Sequence, residues 1–124
     1  MKIKIDKIIK QPILEFSTAI GSGIGCWHNN NMPNEGDHIS VELDINEILK
    51  IGFNANLSTD KICFIRHSED ENEIQGVVDG IDEDGLVYLR LTQDCLIMIE
   101  SSDDQIKKGD YVLLRINAEN FVIT

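Results

Sequence analysis

The sequence predicts an all-β fold, a small barrel or sandwich of about eight to eleven antiparallel strands with at most one short helix. Three observations carry this reading. Apolar residues recur at every second position through most of the chain, as they do in strands with one buried face. Polar turns separate these runs at intervals of about 8–12 residues. Nothing sustains a 3.6-residue period for about ten residues.

Taken in order, Ile3, Ile5 and Ile9 alternate with Lys2, Lys4, Asp6 and Ile8, which makes a first strand. Gly21-Ser22-Gly23-Ile24-Gly25 lacks the Gly-Lys-Ser/Thr ending and following helix of a phosphate loop. It reads as a flexible turn or bulge between strands, followed by a long polar loop from Cys26 to Asn34. Trp27, the single tryptophan, is either core or, beside that loop, an exposed contact anchor. His38–Ile45 places Ile39, Val41, Leu43 and Ile45 on one side of a strand. Asp44–Gly52 has room for one or two helical turns, capped by Asn46 and stopped by Gly52. Lys61–His67 is another strand. Ile74–Ile81 and Leu86–Leu91 flank Asp84-Gly85, a hairpin signal because glycine readily takes positive φ. Cys95–Glu100, Asp110–Ile116 and Phe121–Ile123 complete the set. The expected core is Ile39, Val41, Leu43, Ile62, Phe64, Val78, Val87, Leu89, Ile97, Val112 and Leu114.

One local echo stands out. Glu35-Gly36-Asp37-His38-Ile39 resembles Lys108-Gly109-Asp110-Tyr111-Val112, a Gly-Asp turn feeding a β run each time. It reads either as the trace of two half-barrels or as recurrence of a common turn, since no fixed period extends beyond it.

Composition bounds the function. The 124 residues suit one domain, 1–124. Acidic residues number 22 and basic residues 11, a formal net charge of −11, while 42% of residues are apolar. That apolar share is too high for a disordered acidic tail. The charge argues against general nucleic-acid binding, which uses clustered Lys and Arg, and against an anionic membrane surface. No apolar run approaches the ~18–20 residues of a membrane span, and the alternating N-terminus is no signal peptide. Cys26, Cys63 and Cys95 are odd in number and sit in apolar stretches, as reduced thiols of a cytoplasmic protein would, so no disulfide-linked partner is expected.

The densest acidic stretch spans residues 69–84 and holds Glu69, Asp70, Glu71, Glu73, Asp79, Asp82, Glu83 and Asp84 with no base. It reads either as a solvated face that discourages edge-to-edge pairing or as a binding surface that steers a basic partner. Other chemistry finds little support. Residues 79–85 fail the EF-hand spacing, because aligning Gly85 with the loop's invariant glycine places Gly80 and Leu91 at ligand positions. Cys26, His28 and His38 match no zinc pattern. Cys63 and Cys95 lie in apolar strands, where a thiol is inert. No cofactor, metal or catalytic residue is expected.

The residues Trp27, Pro33, Gly36, Val41-Glu42-Leu43-Asp44-Ile45, Gly85, Val87-Tyr88 and Gly109-Asp110-Tyr111-Val112 give the chain a look similar to small bacterial β-barrels of the OB-like kind. In size, acidity and lack of a catalytic signature it also resembles immunity proteins of contact-dependent growth inhibition and other polymorphic toxin systems. That resemblance implies a cytoplasmic protein that neutralises a basic partner, most concretely a cognate nuclease toxin domain, by covering its active site. The OB resemblance implies instead a module of a nucleic-acid or translation assembly, although the basic and aromatic face of such modules is missing. An enzyme or small-molecule binder and a structural subunit remain as further classes.

Overall fold

A computed structural model describes residues 1–124, and its regular structure is all β apart from one 3-10 turn at Ala118–Asn120. The strands are β1 (Lys2–Lys10), β2 (Ile13–Thr18), β3 (Gly21–Trp27), β4 (His38–Ser40), β5 (Leu43–Ile45) and β6 (Ala55–Ser58), then β7 (Phe64–Ser68), β8 (Glu71–Ile81), β9 (Leu86–Thr92), β10 (Cys95–Glu100), β11 (Tyr111–Asn117) and β12 (Phe121–Ile123). They form one curled mixed sheet, a half-barrel, in the order β10-β9-β8-β7-β3-β2-β1-β4, with β11 joining β6 and β8, and β12 joining β3 and β5.

The Gly-Asp echo is the visible trace of a structural repeat. Displacing each residue by 73, the separation of Gly36 and Gly109, carries β1-β2-β4 onto β8-β9-β11. The pairs Ile5↔Phe16, Lys7↔Glu15 and Ile8↔Leu14 become Val78↔Leu89, Gly80↔Tyr88 and Ile81↔Val87, and the same ladder bulge falls at Asp6 and at Asp79. Lys2↔Ser40, Ile3↔Ile39 and Lys4↔His38 become Gln75↔Leu113, Gly76↔Val112 and Val77↔Tyr111. In both turns the aspartate carboxylate accepts a backbone N–H three residues earlier at 2.9 Å, Asn34 onto Asp37 and Lys107 onto Asp110. The glycine before it sits at φ 90° or 94°, which a side chain resists. β3 corresponds to β10 with one extra residue in the preceding turn. Each repeat is therefore a Greek key, with its fourth strand returning beside its first.

The repeats are interlocked. β12, which follows the second repeat, pairs in parallel with β3 of the first. Leu49, which follows the first, makes a parallel bridge to Ser101 beside β10 of the second. One core of 25 buried residues runs through both, with Phe16 and Phe121 in contact at 5.8 Å between ring centres. Equivalent positions are buried alike, Ile5 with Val78, Leu14 with Val87 and Phe16 with Leu89.

Several expectations need correction. The glycine run is not a turn but β3 itself. A Cβ at Gly21 would overlap the Ile65 carbonyl oxygen where β3 crosses β7, and one at Gly25 would lie 2.7 Å from the Phe121 carbonyl oxygen. Glycine is what lets these backbones approach. The single strand over His38–Ile45 is interrupted at Val41-Glu42, where Glu42 exchanges two hydrogen bonds with Thr124 (2.8 and 3.0 Å). No helix forms over 44–52. Asn46 donates its N–H to Asn120 and Leu49 to Glu100, so long-range pairing displaces the local helical bonds.

Ile62 is 59% exposed rather than core. Residues before β7 cross outside the sheet, where the buried Gln75 amide donates to the carbonyls of Asp60 (3.0 Å) and Ile62 (2.9 Å). Phe64 is only half-buried, its ring covered by the Arg66 guanidinium at 4.7 Å, and Ile39 is half-buried at the sheet edge. The other eight expected core residues are buried. Trp27 is core, and its indole N–H donates to Asn31 O at 2.8 Å, tethering the loop after β3.

Candidate functional site

The eight acidic residues of 69–84 lie along a single strand and the turns at its two ends. β8 has 11 residues, and at about 3.3 Å per residue its contour runs on the order of 33 Å from end to end. Glu69, Asp70 and Glu71 stand at one end. Asp82, Glu83 and Asp84 stand at the other. The structure thus separates the linear run into two patches. The two acids between them are spoken for. Glu73 accepts from Arg66 at 2.9 Å, and Asp79, the bulge residue, accepts from Arg90 at 3.1 Å.

The β7–β8 end gathers acids from elsewhere in the chain. Glu69 occupies the left-handed region at φ 57°, which sharpens the turn. The Asp70 carbonyl accepts the Ala118 N–H at 2.7 Å, drawing the 3-10 turn close, so that Asp70 and Glu119 line one cleft together with Asn117 and Ile13. Glu47 approaches from the loop after β5. Burial pushes its carboxyl above the usual range and the charge of Glu71 adds to the shift. Glu47 and Glu119 were invisible as site residues in the sequence, because long-range pairing brings them here: β11 against β8 sets Asn117 opposite Glu71 and so carries Glu119 beside Asp70, while β5 against β12 carries Glu47 toward the same end.

At the other end the carboxylate of Asp82 accepts the N–H groups of Asp84 (2.9 Å) and Leu86 (3.0 Å) and the Tyr88 hydroxyl (2.9 Å). The Leu86 bond is the largest cause holding its pKa below the ordinary value, and the Tyr88 phenol is pushed up in return. Asp82 is therefore a turn-builder. A group whose folded pKa is depressed stabilises the fold above its unfolded pKa and loses that contribution as pH falls through the folded one. Acidification below about pH 4, through this depressed folded pKa, is expected to loosen the β8–β9 turn. NMR titration of the Leu86 and Asp84 amides checks this, and Asp82→Asn should abolish the pH dependence of both.

The thiols offer no activated nucleophile. Burial raises Cys26, with a contribution from Glu119, and raises Cys63; it pushes Cys95 up to about 11. All three are free. His28 and His38 are exposed, on the loop after β3 and on β4, and no group of three His, Cys, Asp or Glu side chains is placed to hold a metal ion. No helix is long and apolar enough to cross a membrane.

The fold and these patches define an acidic, all-β protein built from two interlocked Greek-key repeats. No family model, no curated protein and no solved structure matches the chain.

Proposed function

We infer that this chain is a binding protein that neutralises a basic partner, most concretely an immunity protein that covers the active site of a nuclease toxin domain. One observation carries the reading. Of 22 acidic side chains, only Glu73, Asp79 and Asp94 are in ion pairs, which leaves 22 − 3 = 19 carboxylates unneutralised within the protein. Such a field accelerates encounter with a cationic surface and falls off over a Debye length of about 8 Å at physiological salt. The patch of Glu69, Asp70 and Glu71, with Glu119 in the same cleft and Glu47 near Glu71, is the part of that field gathered from three segments of the chain. It would meet a cationic surface as phosphates meet the basic cleft of a nuclease.

The test is capture from the source organism's lysate at low salt, elution in salt steps, and assay of any basic protein recovered for an activity that this chain suppresses. The triple variant Glu69→Lys/Asp70→Lys/Glu71→Lys is expected to slow association by about tenfold or more at low ionic strength, with a smaller effect on dissociation. Equal capture and equal suppression by this variant would remove the patch from the mechanism. Recovery of nucleic acid in place of a basic protein would overturn the reading altogether.

A further inference from the structure

The two repeats differ at one edge. β11 is paired on both sides, to β8 and to β6, with Tyr111 opposite Ser58 and Leu113 opposite Asn56, and with Arg115 N–H donating to Asn54 O at 2.8 Å. Its counterpart β4 pairs with β1 alone. In an antiparallel pair, successive residues turn their main-chain groups to opposite sides. The Asp37 carbonyl and the Val41 N–H bond toward β1, each at 2.8 Å to Ile5 N and Met1 O. His38 and Ser40 therefore direct their N–H and C=O groups to the far edge. Further along, that same edge is filled, by Thr124 at Glu42 and by Val122 at Asp44. It is open at His38 and Ser40, both exposed.

Two lysines stand beside the open stretch in an otherwise acidic protein, with Asp6 reaching the trench by accepting from the Ser17 hydroxyl at 3.1 Å. Lys2 stands opposite Ser40 and Lys4 opposite His38, and Lys2, Lys4 and His38 line one shallow trench with Ser17. Neither lysine is ion-paired within the protein. At the equivalent positions of the second repeat, where β6 covers the edge, the residues are uncharged: Gln75, Val77, Tyr111 and Leu113. The covered edge is neutral and the open one carries charge.

We propose that the open edge of β4 accepts an extended acidic segment of another protein, which pairs antiparallel to β4 at His38 and Ser40 as β6 pairs with β11, its carboxylates meeting Lys2 and Lys4. Main-chain bonds give such strand addition its affinity and the flanking side chains its selectivity. A second copy of this chain is the poorer occupant, since it would bring two sets of Lys2 and Lys4 together. This surface is separate from the acidic patch and does not depend on the function proposed above.

The experiment titrates the ¹⁵N-labelled chain with a short peptide of alternating Glu and Val, and in parallel with its Lys-Val counterpart. The Glu peptide is expected to shift the His38 and Ser40 amides and slow their hydrogen exchange about tenfold, with little change from the Lys peptide. Ser40→Pro deletes an N–H that bonds nothing in the free chain, a tolerated change on an edge strand, and should weaken binding by about tenfold while the remaining amide spectrum is retained. Lys2→Glu/Lys4→Glu should invert the peptide preference. The proposal is overturned if millimolar Glu peptide leaves those amides unchanged, as a merely guarded edge would. It is also overturned if Ser40→Pro binds as well as the parent chain, or if the amides shift with protein concentration instead of peptide.

Discussion

Asn72→Ala is expected to cost about 3–5 kcal/mol of unfolding free energy, read from urea denaturation, because it leaves several buried main-chain groups without partners. Asn72 is fully buried in β8. Its Oδ1 accepts the Ile24 N–H at 2.8 Å, and its Nδ2 donates to the carbonyls of Ile24 (2.7 Å) and Ile116 (3.2 Å). The side chain thus does for the middle of β3 what a neighbouring strand does elsewhere. The far edge of β3 is paired with β7 at Gly21 and with β12 at Cys26 and Trp27, and between them only Asn72 reaches it. Removing the amide strands one N–H and weakens two carbonyls inside the core. Asn72→Asp keeps the shape but sets a carboxylate against both carbonyls, so it should also destabilise. A loss below about 1 kcal/mol for Asn72→Ala would mean that water or a strand shift satisfies β3 without it.

Gly21→Ala is expected to be at least as damaging, with a loss above about 4 kcal/mol or failure to reach the folded state. Two effects add at this residue. Its φ of 130° is a conformation that side chains resist, and a Cβ there would overlap the Ile65 carbonyl oxygen where the repeats meet. Gly36→Ala separates the two. Gly36 also has positive φ, 90°, but nothing lies within 4 Å of an added Cβ. That variant should lose only about 1–2 kcal/mol from backbone conformation. At about 3–6 °C per kcal/mol for a chain of this size, thermal unfolding should separate the two variants by more than 5 °C. Similar midpoints would show that the β3–β7 crossing can spread apart.

Much of the β pattern was legible because alternation is a local property. Cys95–Glu100 and Phe121–Ile123 emerge with the same limits in the structure, since each strand has one buried face and a polar turn before it. The Gly-Asp echo was legible as well, but its meaning was not. The repeats share the bulge aspartates Asp6 and Asp79, the turn pairs Gly36-Asp37 and Gly109-Asp110, and the burial pattern, with little else in common along the chain. Their equivalence resides in strand register, which a residue string does not display. The glycine run read as a turn and the helical turns allowed over 44–52 gave way for one reason: in both places a distant backbone decides the local conformation, Ile65 and Phe121 pressing on β3 and Ser101 capturing Leu49.

The candidate site divides in the same way. That the protein is acidic, and that the acids crowd between 69 and 84, follows from composition alone. Charge is additive along the chain, and the alternation that marks the strands does not depend on where the strands go. Which carboxylates act together was a tertiary outcome. An 11-residue strand holds the two ends of the run apart, Arg66 and Arg90 neutralise its middle, and the pairing of β11 with β8 and of β5 with β12 brings Glu119 and Glu47 to one end of it. The open edge of β4 is of the same kind, since a strand's edge is free or covered only by virtue of what the rest of the chain lays beside it.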